Sequence, residues 1–346
     1  MERDWANLGA LPLSLVLDKL EEHIDHVWFG AVCKSWRSVA KLNHQDHQFK
    51  TNILPMLLLS TETKDMIEKN WLYGIPNKRR YPLQFPLYLA NSKFQVCGSS
   101  HGWLALLDYS KSIITLMNPF KDIPPIILPP INWVYKVTLS ADPIISPNDY
   151  VVVAIYDIYG NLAFIRRGQK NWTNIDTSNS YLIDVIFYKG LLFALNIRNK
   201  IISFNCYFND PLGKKTITSN VVLEEKVDEC FVRYKFLVES LKEELWMVKR
   251  CSLRKSIFHV YKLKLDAKSE KLEQMLKLKS LEDNILFLGA GDSISMSASY
   301  FSKSLQRDSI YFANGLKIYN VKSESSYDLC PGEKSSFWVL PHFQWD

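Results

Sequence analysis

The feature that most restricts how this chain can fold is a recurring pair of short apolar runs separated by a polar turn. Gly102 opens the run Trp103-Leu104-Ala105-Leu106-Leu107, and the polar stretch 108–112 leads into Ile113-Ile114-Thr115-Leu116-Met117-Asn118. Gly190 opens Leu191-Leu192-Phe193-Ala194-Leu195, followed by Ile201-Ile202-Ser203-Phe204-Asn205, and a weaker copy joins Ser309-Ile310-Tyr311-Phe312 to Leu316-Lys317-Ile318-Tyr319-Asn320. Runs of four to eight β-prone residues bounded by turn residues read as strands, and close pairs of them as hairpins. Two further hairpins are expected. One joins 151–156 to 162–165 through Tyr159-Gly160-Asn161, and the other joins 245–248 to 258–263. Gly102 and Gly190 leave room for two units of about 44 residues, the length of a propeller blade. Blades closed radially bury both sheet faces without a long free edge. The reading is therefore a degenerate β-propeller, with a pair of β-sandwiches as the rival.

The first 45 residues follow a different period. Leu13, Val16, Leu17, Leu20 and Ile24 recur at helical spacing, and Pro12 suits a first helical turn, where its missing N–H costs little. A second helical pattern after Asp25, taken as its N-cap, places Phe29, Val32, Cys33, Trp36 and Val39 or Ala40 on one side. Gly30 inside it costs about 1 kcal/mol relative to alanine, so close packing is expected there. Two or three short helices make a marginal core and normally lean on a partner. The fold class expected is thus α+β and multidomain: a small all-α module over 1–48, a linker over 49–60, and an all-β domain, by pattern a propeller, over 61–346. The Lys/Glu-rich stretch 266–279 is expected to be an exposed loop or short helix.

Composition narrows the function. The 42 basic and 36 acidic residues leave a net charge of +6, but the positive charges are scattered. Their one tight cluster, Lys78-Arg79-Arg80, reads as a solvated loop rather than a nucleic-acid stripe. No cysteine pair has Cys-x-x-Cys spacing, so no structural zinc is expected, and the six thiols read as reduced. His44 and His47 have no third ligand near them in sequence. No signal-peptide pattern or long apolar run is found, so a cytoplasmic or nuclear location is expected and no membrane partner.

Motifs that mimic catalytic signatures lack their context. Gly98-Ser99-Ser100-His101-Gly102 has the spacing of a nucleophile elbow, but a strand-like run follows where a helix belongs. Gly289-Ala290-Gly291-Asp292-Ser293-Ile294 begins like a dinucleotide fingerprint, with isoleucine in place of the third glycine. It reads as a turn leading into a polar serine stretch. Glu224-Glu225 and Glu243-Glu244 are adjacent in sequence, so in a strand they point to opposite faces. No catalytic residue, cofactor or metal is assigned.

The segments Trp5-Ala6-Asn7-Leu8, the apolar helix from Leu13 to Leu20, and Phe29-Gly30-Ala31-Val32-Cys33-Lys34-Ser35-Trp36-Arg37-Ser38-Val39-Ala40 together resemble an F-box. The chain looks most like the large plant family in which an F-box precedes a DUF295, or KIB1-4-type β-propeller, domain. Downstream, Gly98-Ser99-Ser100-His101-Gly102-Trp103-Leu104, Met117-Asn118-Pro119-Phe120, Ile285-Leu286-Phe287-Leu288-Gly289 and Asp308-Ser309-Ile310-Tyr311-Phe312 carry the same resemblance. Gly9 stands where the family's Leu-Pro signature has proline, with a second Leu-Pro at Leu11-Pro12, and Trp28 stands where many F-boxes carry a polar residue.

The resemblance implies a non-catalytic substrate receptor of an SCF-type ubiquitin ligase. Its N-terminal helices would dock on a Skp1-like adaptor, itself bound to a cullin scaffold, and its propeller would hold a target protein. Leu8, Leu11, Pro12, Leu15, Val16, Leu20, Val32, Cys33 and Trp36 are the expected docking surface and supporting core. Leu15 lies off the Leu13-Val16-Leu20 stripe and should be exposed in a free module. The competing readings are a propeller binding protein with a decayed F-box, a propeller enzyme or carbohydrate-binding module, and a nucleic-acid binder.

Overall fold

Glycine at the second position of a left-handed turn is what lets the apolar runs fold back on themselves. His101-Gly102 and Lys189-Gly190 both adopt positive φ (50° and 78°; 48° and 78°). This is the conformation of two-residue hairpin turns whose twist matches the flanking strands. The computed structural model describes residues 5–45, 53–62, 68–83, 85, 94–177, 180–205, 219–223, 232–252, 256–266, 271–330 and 334–341. Three helices, α1 (Ala10–Leu17), α2 (His23–Ala31) and α3 (Lys34–Gln45), precede six mostly antiparallel sheets arranged as a six-bladed propeller. All five hairpins expected from the sequence are present, and Gly102 and Gly190 occupy equivalent turns two blades apart.

The ring closes by combining the two ends of the chain. Blade 1 takes its three outer strands from Met56–Glu62, Glu68–Tyr73 and Arg80–Leu83, and its innermost strand from Lys334–Val339, with Leu57 opposite Trp338. The strand Met56–Glu62 begins within the stretch expected as linker. The inner strands of blades 2 to 6 are Phe94–Ser100, Val134–Leu139, Leu182–Tyr188, Val232–Glu239 and Ile294–Ser297, and they line the axis in ring order. Blade 6 departs from the simple pattern. Its strand Asn284–Leu288 pairs in parallel with Ser309–Phe312, and Ile294–Ser297 hairpins inward between that strand and the axis.

Six apolar clusters sit one at each blade junction. Alternate residues of a strand serve opposite neighbours: Leu104 and Leu106 pack toward blade 1, while Trp103, Ala105 and Leu107 pack toward blade 3. Both faces are therefore buried, and the strands read as continuous apolar runs without a polar alternation. Each such leucine contributes roughly 1.5–3 kcal/mol relative to leaving it exposed.

Three expectations change. The stretch 266–279 contains the outermost strand of blade 5, Leu272–Leu278. An edge strand is paired on one side only, so its lysines and glutamates stay in water, and that composition imitates a loop. The expected serine stretch contains the innermost strand of blade 6. Asp25 lies in the first turn of α2, whose N-cap position is Glu22 without a side-chain cap bond, and the helical pattern breaks after Ala31 before α3 resumes at Lys34.

Candidate functional site

The helical module keeps a small core and turns the rest of its apolar residues outward. Leu13 and Leu17, one turn apart on α1, pack with Phe29, Val39, Ala40 and Ile53, flanked by Leu8, Leu20 and Trp36. Trp36 packs against Phe29, its ring tilted 44° at 4.6 Å between centroids, and donates its indole N–H to the Trp5 carbonyl at 3.1 Å. On the other side of α1, Leu11 is 73% exposed and Leu15 58%. These two share a face one turn apart. Pro12 and Val16 are also exposed, and Val32, at the break between α2 and α3, is 56% exposed. Cys33 is half-buried. Of the nine residues expected in this surface and its supporting core, five point to solvent, while Leu8, Leu20, Cys33 and Trp36 are partly covered. Sequence periodicity put Val16 and Val32 on the core stripe. Val16 falls on the open side of α1 beside Leu15, and the break after Ala31 turns Val32 outward.

A polar joint fixes the module to one face of the propeller. Tyr300 donates its hydroxyl to the Asp18 carbonyl at 2.7 Å, Leu54 donates its N–H to the Glu21 carbonyl at 3.3 Å, and Ser304 bonds the Glu21 carboxylate. Asn77 donates to the Glu22 carboxylate and to the Tyr81 hydroxyl. Burial pushes the Glu22 and Asp25 carboxyls up, and nearby Arg79 opposes both shifts. His26 is buried with Nε2 2.8 Å from the Leu20 carbonyl, and burial pulls its pKa down to about 4.

The opposite face of the propeller carries an apolar surface that sequence reasoning did not single out. Tyr109, Trp133, Tyr135, Ile158, Tyr159, Tyr181, Ile183 and Ile197 are all exposed there. Backbone hydrogen bonds tie their turns together: Asp157 N–H to the Trp133 carbonyl, Leu182 to Gly160, and Ile197 to Tyr181. The rings of Tyr159 and Tyr181 lie 6.0 Å apart. These residues border a cavity of about 460 Å³ whose walls include Tyr135, Tyr181, Ile183, Ile197 and Tyr234. Trp133 and Tyr181 have positive φ (55° and 49°), a strained state for bulky side chains. The readable signal was Asp157-Ile158-Tyr159-Gly160, a turn carrying two large apolar residues where polar ones are favoured.

Between the two faces, the axis is filled by the hairpin that resembles a dinucleotide fingerprint. Ala290 N–H donates to Ser336 at 2.6 Å and Asp292 N–H to Ser99 at 2.9 Å. A Cβ on Gly291 would sit 2.9 Å from the Ser99 backbone oxygen. Lys136 donates to the Gly291 carbonyl at 2.9 Å and pairs with Asp184, which also accepts the Leu237 N–H at 2.6 Å. Burial nonetheless pushes the Asp184 carboxyl up against that pairing. The elbow-like serine is equally structural. Ser100 is buried and its hydroxyl accepts the Leu139 N–H at 3.0 Å. A Cβ on Gly98 would lie 2.3 Å from the Val137 carbonyl oxygen, so that glycine permits two inner strands to touch. Glu244 is held by Lys262 and Trp246, whereas Glu224-Glu225, His47 and the side chain of His44 lie outside the described residues. Among the described residues no cluster of three or more His, Cys, Asp or Glu is placed to hold a metal.

The fold and its surfaces define the class: a small helical module mounted on a six-bladed propeller, with exposed apolar surfaces at opposite ends. The KIB1-4 β-propeller family model matches residues 72–333, and the chain belongs to that family. It is similar to an Arabidopsis thaliana chain named F-box protein At5g55150, 25% identical over 90% of this chain and 85% of the relative. It is also similar to the F-box protein SKIP23 of the same plant, 24% identical over 92% of this chain and 85% of the relative. Among solved structures it resembles the Myceliophteria thermophila Swd1 β-propeller at 10% identity and a TM-score of 0.41, covering 81% of this chain and 84% of the other.

Proposed function

We propose that this chain is a non-catalytic substrate receptor of an SCF-type ubiquitin ligase. The observation that carries this reading is the exposure of Leu11, Leu15, Val16 and Val32 on a module whose core is already satisfied by Leu13, Leu17 and Phe29. Apolar side chains held in water on a short helix are the anchors that helix-in-groove partners cover. A Skp1-like adaptor is the partner that the F-box likeness supplies, and a cullin scaffold follows through it. The target would be held on the far propeller face, around Tyr135, Tyr159 and Tyr181. There it would meet a charged conjugating enzyme at high effective concentration, so the contribution to rate is proximity.

The test is capture of a plant Skp1-type adaptor by the full chain, beside the double substitution Leu15→Asp with Val16→Asp. Both positions are exposed, so the variant should keep the wild-type Tm and lose at least about tenfold in adaptor affinity. A folded wild-type chain that captures no adaptor, or a variant that captures it equally well, would sink the assignment.

A further inference from the structure

A large cavity lies apart from both of the exposed apolar surfaces. It measures about 880 Å³ and lies where the helical module meets blades 1 and 2. Its apolar walls include Val27 of α2, Met56, Leu72 and Leu83 of blade 1, and Met117 and Phe120 of blade 2. Met56, Leu72 and Met117 are core residues of the blade 1–blade 2 junction, so this wall is anchored in packed structure. Pro55, Pro76, Pro82, Pro119 and Pro125 also line it. Fixed φ at five wall positions keeps the site preformed, which lowers the ordering cost of a ligand. A concave, mostly apolar site of ~300–1,000 Å³ with a few polar groups is the usual form of a small-molecule pocket.

Its polar groups specify the ligand. Asn118 lines the cavity and is 5% exposed. Its Oδ1 accepts the Phe120 N–H at 2.9 Å, which fixes the amide's orientation, and its Nδ2 has no acceptor among the described residues. A buried donor without an acceptor is destabilising until one is supplied. The Tyr81 hydroxyl accepts from Asn77 at 3.0 Å, so its own proton points elsewhere. Glu22 supplies a carboxylate already bonded by Asn77, and Lys121 and Asp122 carry opposite charges side by side. With two carboxylates, Glu22 and Asp122, against the one ammonium of Lys121, the lining disfavours an anion and offers donors to a neutral acceptor.

We propose that this cavity binds an uncharged, largely apolar ring compound bearing a carbonyl or hydroxyl group that accepts from Asn118. The ligand would touch α2 and blades 1 and 2 at once. It would therefore stiffen the joint that sets the helical module relative to the propeller. The site stands on its own walls, whether or not the helices dock on an adaptor.

The probe is prodan, an uncharged naphthalene ketone whose emission shifts to the blue in apolar surroundings, titrated into the full chain beside the anionic naphthalene dye ANS. Saturable binding of one prodan per chain is expected, with ANS weaker by about tenfold or more, since burial of a charge is the costlier step. At a concentration about 100 times its Kd, prodan should raise Tm by roughly 5 °C. Leu83→Trp, from the propeller edge, and Val27→Trp, from the helix, should each intrude into the cavity and weaken prodan binding while keeping the wild-type Tm. Asn118→Asp keeps the oxygen that caps Phe120 and removes the donor, so prodan should bind about tenfold more weakly. Absence of saturable binding, ANS binding as tightly as prodan, or both tryptophan variants binding like wild type would each overturn the proposal.

Discussion

Removing the Lys136 ammonium should damage the propeller more than any surface change, and the damage should depend on pH. Lys136 and Asp184 are 5% and 2% exposed, on the inner strands of blades 3 and 4. Through the Leu237 N–H and the Gly291 carbonyl, the pair also engages blades 5 and 6. Lys136→Met leaves a carboxylate buried without its counter-charge, which costs about 3–5 kcal/mol. The abandoned Gly291 carbonyl adds about 1 kcal/mol. For a chain this size, about 2 °C per kcal/mol translates that into a Tm lower by roughly 8–12 °C at neutral pH. Burial already raises the Asp184 carboxyl above its ordinary value, and Lys136 is the chief influence holding it down. Without Lys136 the shift grows. A carboxyl whose folded pKa lies above its unfolded one stabilises the fold when protonated and loses that contribution as pH rises through the folded value. The deficit should therefore shrink as pH falls from about 8 to about 5. Scanning calorimetry at several pH values reads this directly. Adding Asp184→Asn, which keeps an acceptor for Leu237, should restore most of the lost Tm. A variant within 2 °C of wild type, or a deficit unchanged by pH, would refute the reasoning.

Three further outcomes follow from the same structure. Leu13→Ala, at a fully buried position of the helical core, should cost about 2–5 kcal/mol in module stability, measured by hydrogen exchange in α1 to α3. His26 is neutral in the fold, with a pKa of about 4 against an ordinary 6.5. Its contribution is whole above the unfolded value and falls as pH drops toward the folded one, by up to about 3 kcal/mol. Protection factors of the module's amides, corrected for the intrinsic pH dependence of exchange, should fall across that window in wild type and less in His26→Gln, with protonation of Glu22 and Asp25 working the opposite way. Gly98→Ala should lower stability by about 1–3 kcal/mol in denaturant titration, because the new methyl meets the Val137 backbone and cannot rotate away.

Much of the fold was legible because its signals are local. His101-Gly102 and Lys189-Gly190 announce tight turns through the one residue type that takes positive φ at no cost, and their spacing implies the blade repeat. Leu13 and Leu17 mark their own helical stripe. The run ending in Val-Cys-Lys-Ser-Trp-Arg pointed to a docking module, and Leu15 proved exposed as its position off the stripe required. Other features arise from pairings between distant residues. Nothing near Met56 announces that Val339 will lie opposite it, nor that Leu286 will run parallel to Ile310. A strand buried on both faces carries no alternation, so Leu104 and Ala105 look alike in sequence and serve different neighbours. The far-face surface assembles turns from separate blades, and each turn alone holds only one or two of its side chains. Local backbone preference and apolar spacing are properties of the sequence, whereas closure of the ring, the buried Lys136–Asp184 pair and the two opposed surfaces exist only once all six blades pack around one axis.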